Sequence, residues 1–285
     1  MNRKKNILIA AVAVAVAVTA ACTGVCRMHN RKIQPKETWK LSAAGIDIYN
    51  TSVVLIADRG LSALAPEDTY FAVEKAGREG FENVEIDACE TLDGVWVVMH
   101  DKTVDRMTDG TGKIANQTYF ELLNYTVDNG ANIGDYRKVK ISTLEQVIRL
   151  CSQYGIKPYI NISQISADGF KKLAGILEKL DMVQHCAIKS SNKECLALIK
   201  GLKPGIELWY SAGKLTKKNM EWLKENKGFG ADFNADCRTN TDAKIKQLLK
   251  DEVRLLCRNV NDLETLKRLH SLGLNNFSTD CILPK

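Results

Sequence analysis

Val53-Val54-Leu55-Ile56-Ala57-Asp58-Arg59-Gly60 joins an apolar run to a charged pair and a glycine. Five β-prone or small apolar residues in a row read as a strand buried on both faces, and the glycine after them as the turn that leaves it. Asp68–Arg78 then carries helical periodicity. The same strand-then-helix unit recurs downstream. Further strand candidates are Asn83–Ala88, Pro158–Ile162, Cys186–Ile188, Ile206–Trp209, Ala231–Asn234, Val253–Cys257 and Asn276–Thr279. Helix candidates between them are Leu144–Tyr154, Gly169–Leu180, Lys193–Ile199, Lys217–Asn226, Ala243–Leu249 and Leu263–Leu272. Gly155, Gly201, Gly228 and Gly273 close or follow several of these helices. Eight strands alternating with helices predict a parallel sheet closed into a single (β/α)₈ barrel. The open-sheet alternative lacks a Gly-x-Gly-x-x-Gly turn.

Two stretches depart from a plain barrel. Thr91 to His100 reads as a hairpin turning at Leu92-Asp93-Gly94, and 101–141 is too long for a simple connection. That stretch is expected to be a functional insertion over the barrel mouth. No helix candidate follows the eighth strand, and Trp39–Tyr49 is expected to cover the gap or plug the barrel bottom.

Composition sets the outer bounds. Of the 285 residues, 45% are hydrophobic and 26% charged, as in a globular protein. The net charge of +6 is dispersed along the chain. No basic stripe with interleaved aromatics points to nucleic acid. Met1-Asn2-Arg3-Lys4-Lys5, the apolar run Ile7–Ala21 and the small residues before Cys22 have the pattern of an export signal. The apolar run is shorter than the roughly 18 residues expected of a spanning helix. Residues 1–22 therefore read as a signal resembling that of bacterial lipoproteins, with Cys22 lipidated, the alternative being an uncleaved N-terminal anchor. Residues 23–40 read as a tether and 41–285 as the barrel, in the cell envelope. The remaining cysteines are widely spaced, form no Cys-x-x-Cys, and read as small hydrophobes.

Glu85 and Asp87 lie two apart on a strand, so they share a face. Asn161 and Ser163 share the corresponding parity on the third strand. All four are expected at the strands' C-terminal mouth, with His100 delivered beside them by the hairpin. Inward carboxylates at such a mouth suit a hard cation, Ca²⁺ or Mg²⁺. A histidine beside them suits proton transfer or phosphate contact.

Arg59-Gly60, Pro66-Glu67-Asp68-Thr69, Glu85-x-Asp87, Asp93-Gly94, His100-Asp101 and Arg106-x-Thr108-x-Gly110-x-Gly112 follow one another in a recognisable order. Thr143-Leu144-Glu145, Val260-Asn261-Asp262 and Thr279-Asp280 continue it. Together they resemble the glycerophosphodiester phosphodiesterase family. The resemblance implies a (β/α)₈ barrel that cleaves glycerophosphodiesters to glycerol 3-phosphate and an alcohol. It implies a divalent cation on carboxylates matching Glu85 and Asp87 and on a further Glu. It implies two acid–base histidines, one matching His100, and a phosphate steadied by Arg59 and a third-strand Lys. Four positions depart from that pattern. Asp58 stands at the first histidine, Asn161 at the metal Glu, Ser163 at the Lys, and Arg258 at a tryptophan. The first alternative is relocation of charge: Asp58 as catalyst or ligand, an Asn161 oxygen on the cation, and Arg258 replacing the cation lost at Ser163. The second is a non-catalytic envelope protein that binds phosphodiesters or sugar and polyol phosphates.

Overall fold

The computed structural model describes residues 32–46 and 53–284. Eight strands form the barrel: β1 Val54–Ala57, β2 Asn83–Glu90, β3 Lys157–Ile162, β4 Ala187–Ser190, β5 Glu207–Gly213, β6 Gly230–Asn234, β7 Leu255–Arg258 and β8 Asn276–Thr279. Each pairs in parallel with its neighbour. β8 returns to β1, and β1 also pairs with β2, so the sheet closes with no free edge. The helices between the strands are α1 Tyr70–Arg78, α2 Leu144–Tyr154, α3 Ala167–Lys179, α4 Lys193–Leu202, α5 Lys217–Glu225, α6 Asp242–Lys250 and α7 Leu263–Ser271. Local chemistry starts them. Thr69, Ser166, Asn192, Thr216 and Asp262 each accept a backbone N–H at a helix N-terminus, and Thr143 with Gln146 forms a capping box.

Alternation along the strands divides the interior. Outward-facing Val84, Ile86, Ile160, Ile162, Ile188, Leu208 and Phe233 join the core beneath the helices. Inside the barrel, Ile56, Tyr159, Ala187, Trp209 and Leu256 form a separate apolar plug. Two residues further along each strand, with the same facing, stand Asp58, Asn161, Lys189, Ser211 and Arg258. The polar mouth thus rests on an apolar floor.

The predicted hairpin is present: Trp96–Val98 runs antiparallel to the end of β2. The insertion has its own small core, including Met99, Val104, Met107, Ile114, Leu122, Val127, Val139 and Ile141, and packs on Phe71 of α1. It meets the mouth through Arg106, which donates to Glu67 at 2.6 Å. No residue of 101–141 lines the central cavity, and a side groove separates part of the insertion from α1 and α2.

Trp39–Lys40 pairs in parallel with Ile282–Leu283. The short helix Leu41–Ala44 follows, burying Leu41 and Ala44 against α7, which covers the place after the eighth strand. The tether expectation extends to residue 40, yet Lys36 pairs with Asp280 and the Ile33 N–H donates to Asn129. Cys22, the signal segment and residues 47–52 lie outside the described residues. Among the described residues no helix is long and apolar enough to cross a membrane. All cysteines there are free thiols.

Candidate active site

The loop leaving β1 is shaped by Arg59 and Gly60, both at positive φ (54° and 76°). A Cβ at Gly60 would stand 2.5 Å from the Ala72 Cβ and 2.6 Å from its carbonyl carbon, so only glycine lets this turn sit on α1. Arg59 accepts the less favoured left-handed geometry and is aimed into the mouth. Its Nη1 is 3.0 Å from a Glu67 carboxylate oxygen and its Nε 3.3 Å from Asp87 Oδ2. Asp68, also left-handed at φ 51°, accepts the Asp87 backbone N–H at 3.0 Å.

A cavity of about 240 Å³ opens where the strands end. It is lined by Asp58, Arg59, Glu85, Asp87, His100, Asn161, Asn234, Arg258 and Asn259. Seven of the eight residues expected at the site meet here. Ser163 does not. It lies just past the end of β3, exposed, and lines a separate groove with Cys89, Lys102 and Ile165. β3 ends at Ile162, one residue before Ser163, so strand parity no longer holds the Ser163 side chain in the mouth.

Asp58 is buried, and the Asn259 amide donates to its Oδ2 at 2.9 Å. Burial, then the nearby Glu85 and Asp280 charges, pushes its pKa well above the ordinary aspartate value. It is therefore a candidate proton donor. His100 Nδ1 is 2.8 Å from Asp101 Oδ1, and Arg106 holds the other side of that carboxylate at 2.7 Å. The Arg106 hydrogen bond, with His100 behind it, pulls Asp101 down to about 2. Arg106 also bonds Glu67 at 2.6 Å. Burial works to raise Glu67, but Arg106 and Arg59 outweigh it and lower its pKa. The chain His100–Asp101–Arg106–Glu67–Arg59 thus fixes two candidate functional groups against each other.

Below the cavity lies an ion cluster. The Lys189 ammonium, with no exposure, is 2.7 Å from Glu85 Oε2 and 2.8 Å from Asp232 Oδ2. Burial alone would lower its pKa, but Asp232 and Glu85 raise it, so it stays charged. Arg258 Nη1 reaches the same Asp232 oxygen at 3.1 Å, and its Nε donates to Asn234 Oδ1 at 2.8 Å. Glu67, Asp68, Lys189, Asp232, Asn234 and Asn259 are functional neighbours that the site prediction omitted. Lys189 had a legible signal: it shares parity with Ala187, and its strand was ended one residue early.

The acids present do not fit a divalent cation. Glu85 Oε2 is occupied by Lys189 and by the Ser278 hydroxyl at 3.3 Å. Asp87 receives Arg59 on one oxygen and the Asn161 amide on the other at 2.6 Å, so Asn161 presents a donor here. Asp58 is held by Asn259. Among the described residues no group of three or more Asp, Glu, His or Cys is disposed to hold a metal ion. The expected Ca²⁺ or Mg²⁺ set of Glu85, Asp87 and Asn161 is assembled in space, but Glu85 Oε2 and both Asp87 oxygens already receive donors.

Residues 59–283 match the model of the glycerophosphoryl diester phosphodiesterase family. The chain belongs to that family. A glycerophosphodiester phosphodiesterase of Caldanaerobacter subterraneus is 29% identical, over 80% of this chain and 93% of its own. Glycerophosphodiester phosphodiesterase 1 of Bos taurus is 35% identical over 42% of this chain, a match spanning 38% of the bovine protein. Among solved structures, an Oleispira antarctica phosphodiesterase in complex with its product sn-glycerol-3-phosphate superposes with a TM-score of 0.70 at 27% identity. That match covers 82% of this chain and 95% of the other. The family's barrel is the one described above.

Proposed function

We propose that the protein hydrolyses glycerophosphodiesters, releasing glycerol 3-phosphate and an alcohol. The observation carrying this reading is the convergence of Asp58, Arg59, His100 and Arg258 on one small polar cavity. Arg59 and Arg258 offer guanidinium N–H groups to phosphoryl oxygens and offset charge that builds on them. His100, oriented by Asp101, accepts a proton from a water as the water's oxygen bonds to phosphorus. The P–O bond to the alcohol breaks, and Asp58, whose pKa burial raises, gives the departing alkoxide a proton. His100 then returns its proton through solvent to Asp58, so diester and water become a monoester and an alcohol. The product named for the Oleispira enzyme supports the choice of ligand.

A second reading has its own observation. Internal donors engage Glu85, both oxygens of Asp87 and Asp58, which suits a protein that binds a phosphorylated polyol without turning it over. One experiment separates the two: purified protein with glycerophosphodiesters of several head groups, followed by release of glycerol 3-phosphate. Hydrolysis that falls in Asp58→Asn and His100→Gln supports the first reading. No release, with glycerol 3-phosphate still bound, leaves only the second.

We further propose, from the N-terminal sequence, that the protein is exported and held at the envelope membrane through a lipid on Cys22. Intact-mass analysis of membrane-extracted protein tests this. A chain still starting at Met1 would contradict it.

A further inference from the structure

Glu85 and Asp232 face each other across the barrel interior, both almost fully buried. Two such carboxylates need a counter-charge between them. Lys189 supplies it from β4, at 2.7 and 2.8 Å, on a side chain with no exposure. Register places it there: Asp87 stands opposite Asn161, and Asn161 opposite Lys189. Its ammonium bonds the same Glu85 oxygen that Ser278 bonds, and the same Asp232 oxygen that Ser211 and Arg258 reach. The lysine is thus held from both sides by groups that are themselves held.

We propose that Lys189 is a built-in replacement for the divalent cation, so that this site binds phosphate through Arg59 and Arg258 without a metal ion. The inference rests on the phosphodiester reading of the cavity. A divalent ion on Glu85 would have to evict the ammonium into a space with no solvent or stand beside it as a like charge. Asp87 gives no alternative, because Arg59 and Asn161 occupy its oxygens. Lys189, Arg59 and Arg258 thus each already meet an acid of the mouth: Glu85, Asp87 and Asp232. An arriving phosphate then meets the free N–H groups of two arginines. Lys189 does not line the cavity and is a positioning residue.

The test is calorimetry with glycerol 3-phosphate as probe, in excess EDTA and in excess Ca²⁺ or Mg²⁺. Wild type is expected to bind equally in both, and direct titration with either cation should show no Glu85-dependent heat. Lys189→Ala should lose at least roughly tenfold in affinity in EDTA, and either cation should restore it, because Glu85 and Asp232 then have a vacant charge site. A lysine that only filled space would show no such rescue. If Lys189→Ala does not fold, Lys189→Ala with Asp232→Asn removes the facing acid and is tested in the same way. Wild-type binding that requires a divalent cation overturns the inference while leaving the hydrolase reading in place. Equal cation-free binding without turnover supports the inference and overturns hydrolysis instead.

Discussion

Asp58 lines the cavity from a buried position, where Arg59 and Lys189 favour its ionisation but are outweighed. Burial leads, and Glu85 and Asp280 add to it. A carboxyl whose folded pKa lies above its unfolded value costs nothing at low pH. Stability is then lost as pH rises from the ordinary aspartate range through the raised value. Asp58→Asn removes that loss and keeps an oxygen for Asn259. It should be more stable than wild type at pH 7, by about 1 kcal/mol or ~2–4 °C in Tm, with the gap closing below pH 4. The same variant should lose about 10²–10⁴-fold in turnover if Asp58 is the proton donor. Asp101 has the opposite sign. Its pKa, pulled from 3.8 to about 2, contributes stability that is complete above pH 4 and lost as pH falls toward 2. Asp101→Asn should cost on the order of 1–2 kcal/mol at pH 7, allowing for partial exposure, and nothing near pH 2. Urea unfolding across that range measures both. Much of this site was legible in the sequence, because strand parity placed Glu85, Asp87 and Asn161 on one mouth and the family pattern added Asp58 and Arg258. Who pairs with whom was not legible. Lys189 reaches Glu85 from two strands away, and local pattern carries no record of such cross-barrel distances. Ser163 failed for a related reason: parity holds only as long as the strand does, and β3 ends at Ile162.

The turn between β1 and α1 is the element on which the site depends. It packs three left-handed residues, Arg59, Gly60 and Asp68, into ten positions. Gly60→Ala would force a Cβ into the Ala72 backbone as well as strain φ. A loss of about 2–4 kcal/mol is expected, with phosphate affinity falling alongside because Arg59 moves. At α2, Thr143→Ala removes one half of a capping box and should cost about 1 kcal/mol without touching ligand affinity. Thermal unfolding and ligand titration of the two variants separate a turn that aims a side chain from a cap that only starts a helix. The elements themselves were legible from the sequence, since helix periodicity and capping residues act locally. Their ends shifted by at most four residues, the most at the end of β5. The insertion's placement was not legible, because its core of Met107, Ile114 and Val139 has neither a helical nor a strand period.

At the scale of the molecule, the barrel is completed by chain from both ends. Leu41 is buried against α7, and Trp39 donates its N–H to the Cys281 carbonyl at 3.0 Å. Leu41→Ala should therefore cost about 2–5 kcal/mol in chemical unfolding, as a core truncation does, although Leu41 stands outside the eight strand-and-helix units. The pairing of Trp39–Lys40 with Ile282–Leu283 also bears on when the protein can fold. β8, which shuts the sheet against β1, and this latch each pair segments from opposite ends of the described residues. Contacts so distant in sequence form late and slowly. Until both pairings form, the sheet is an open one with two unpaired edges, each a template for another chain, so a folding intermediate of this protein is most exposed to aggregation at that last step.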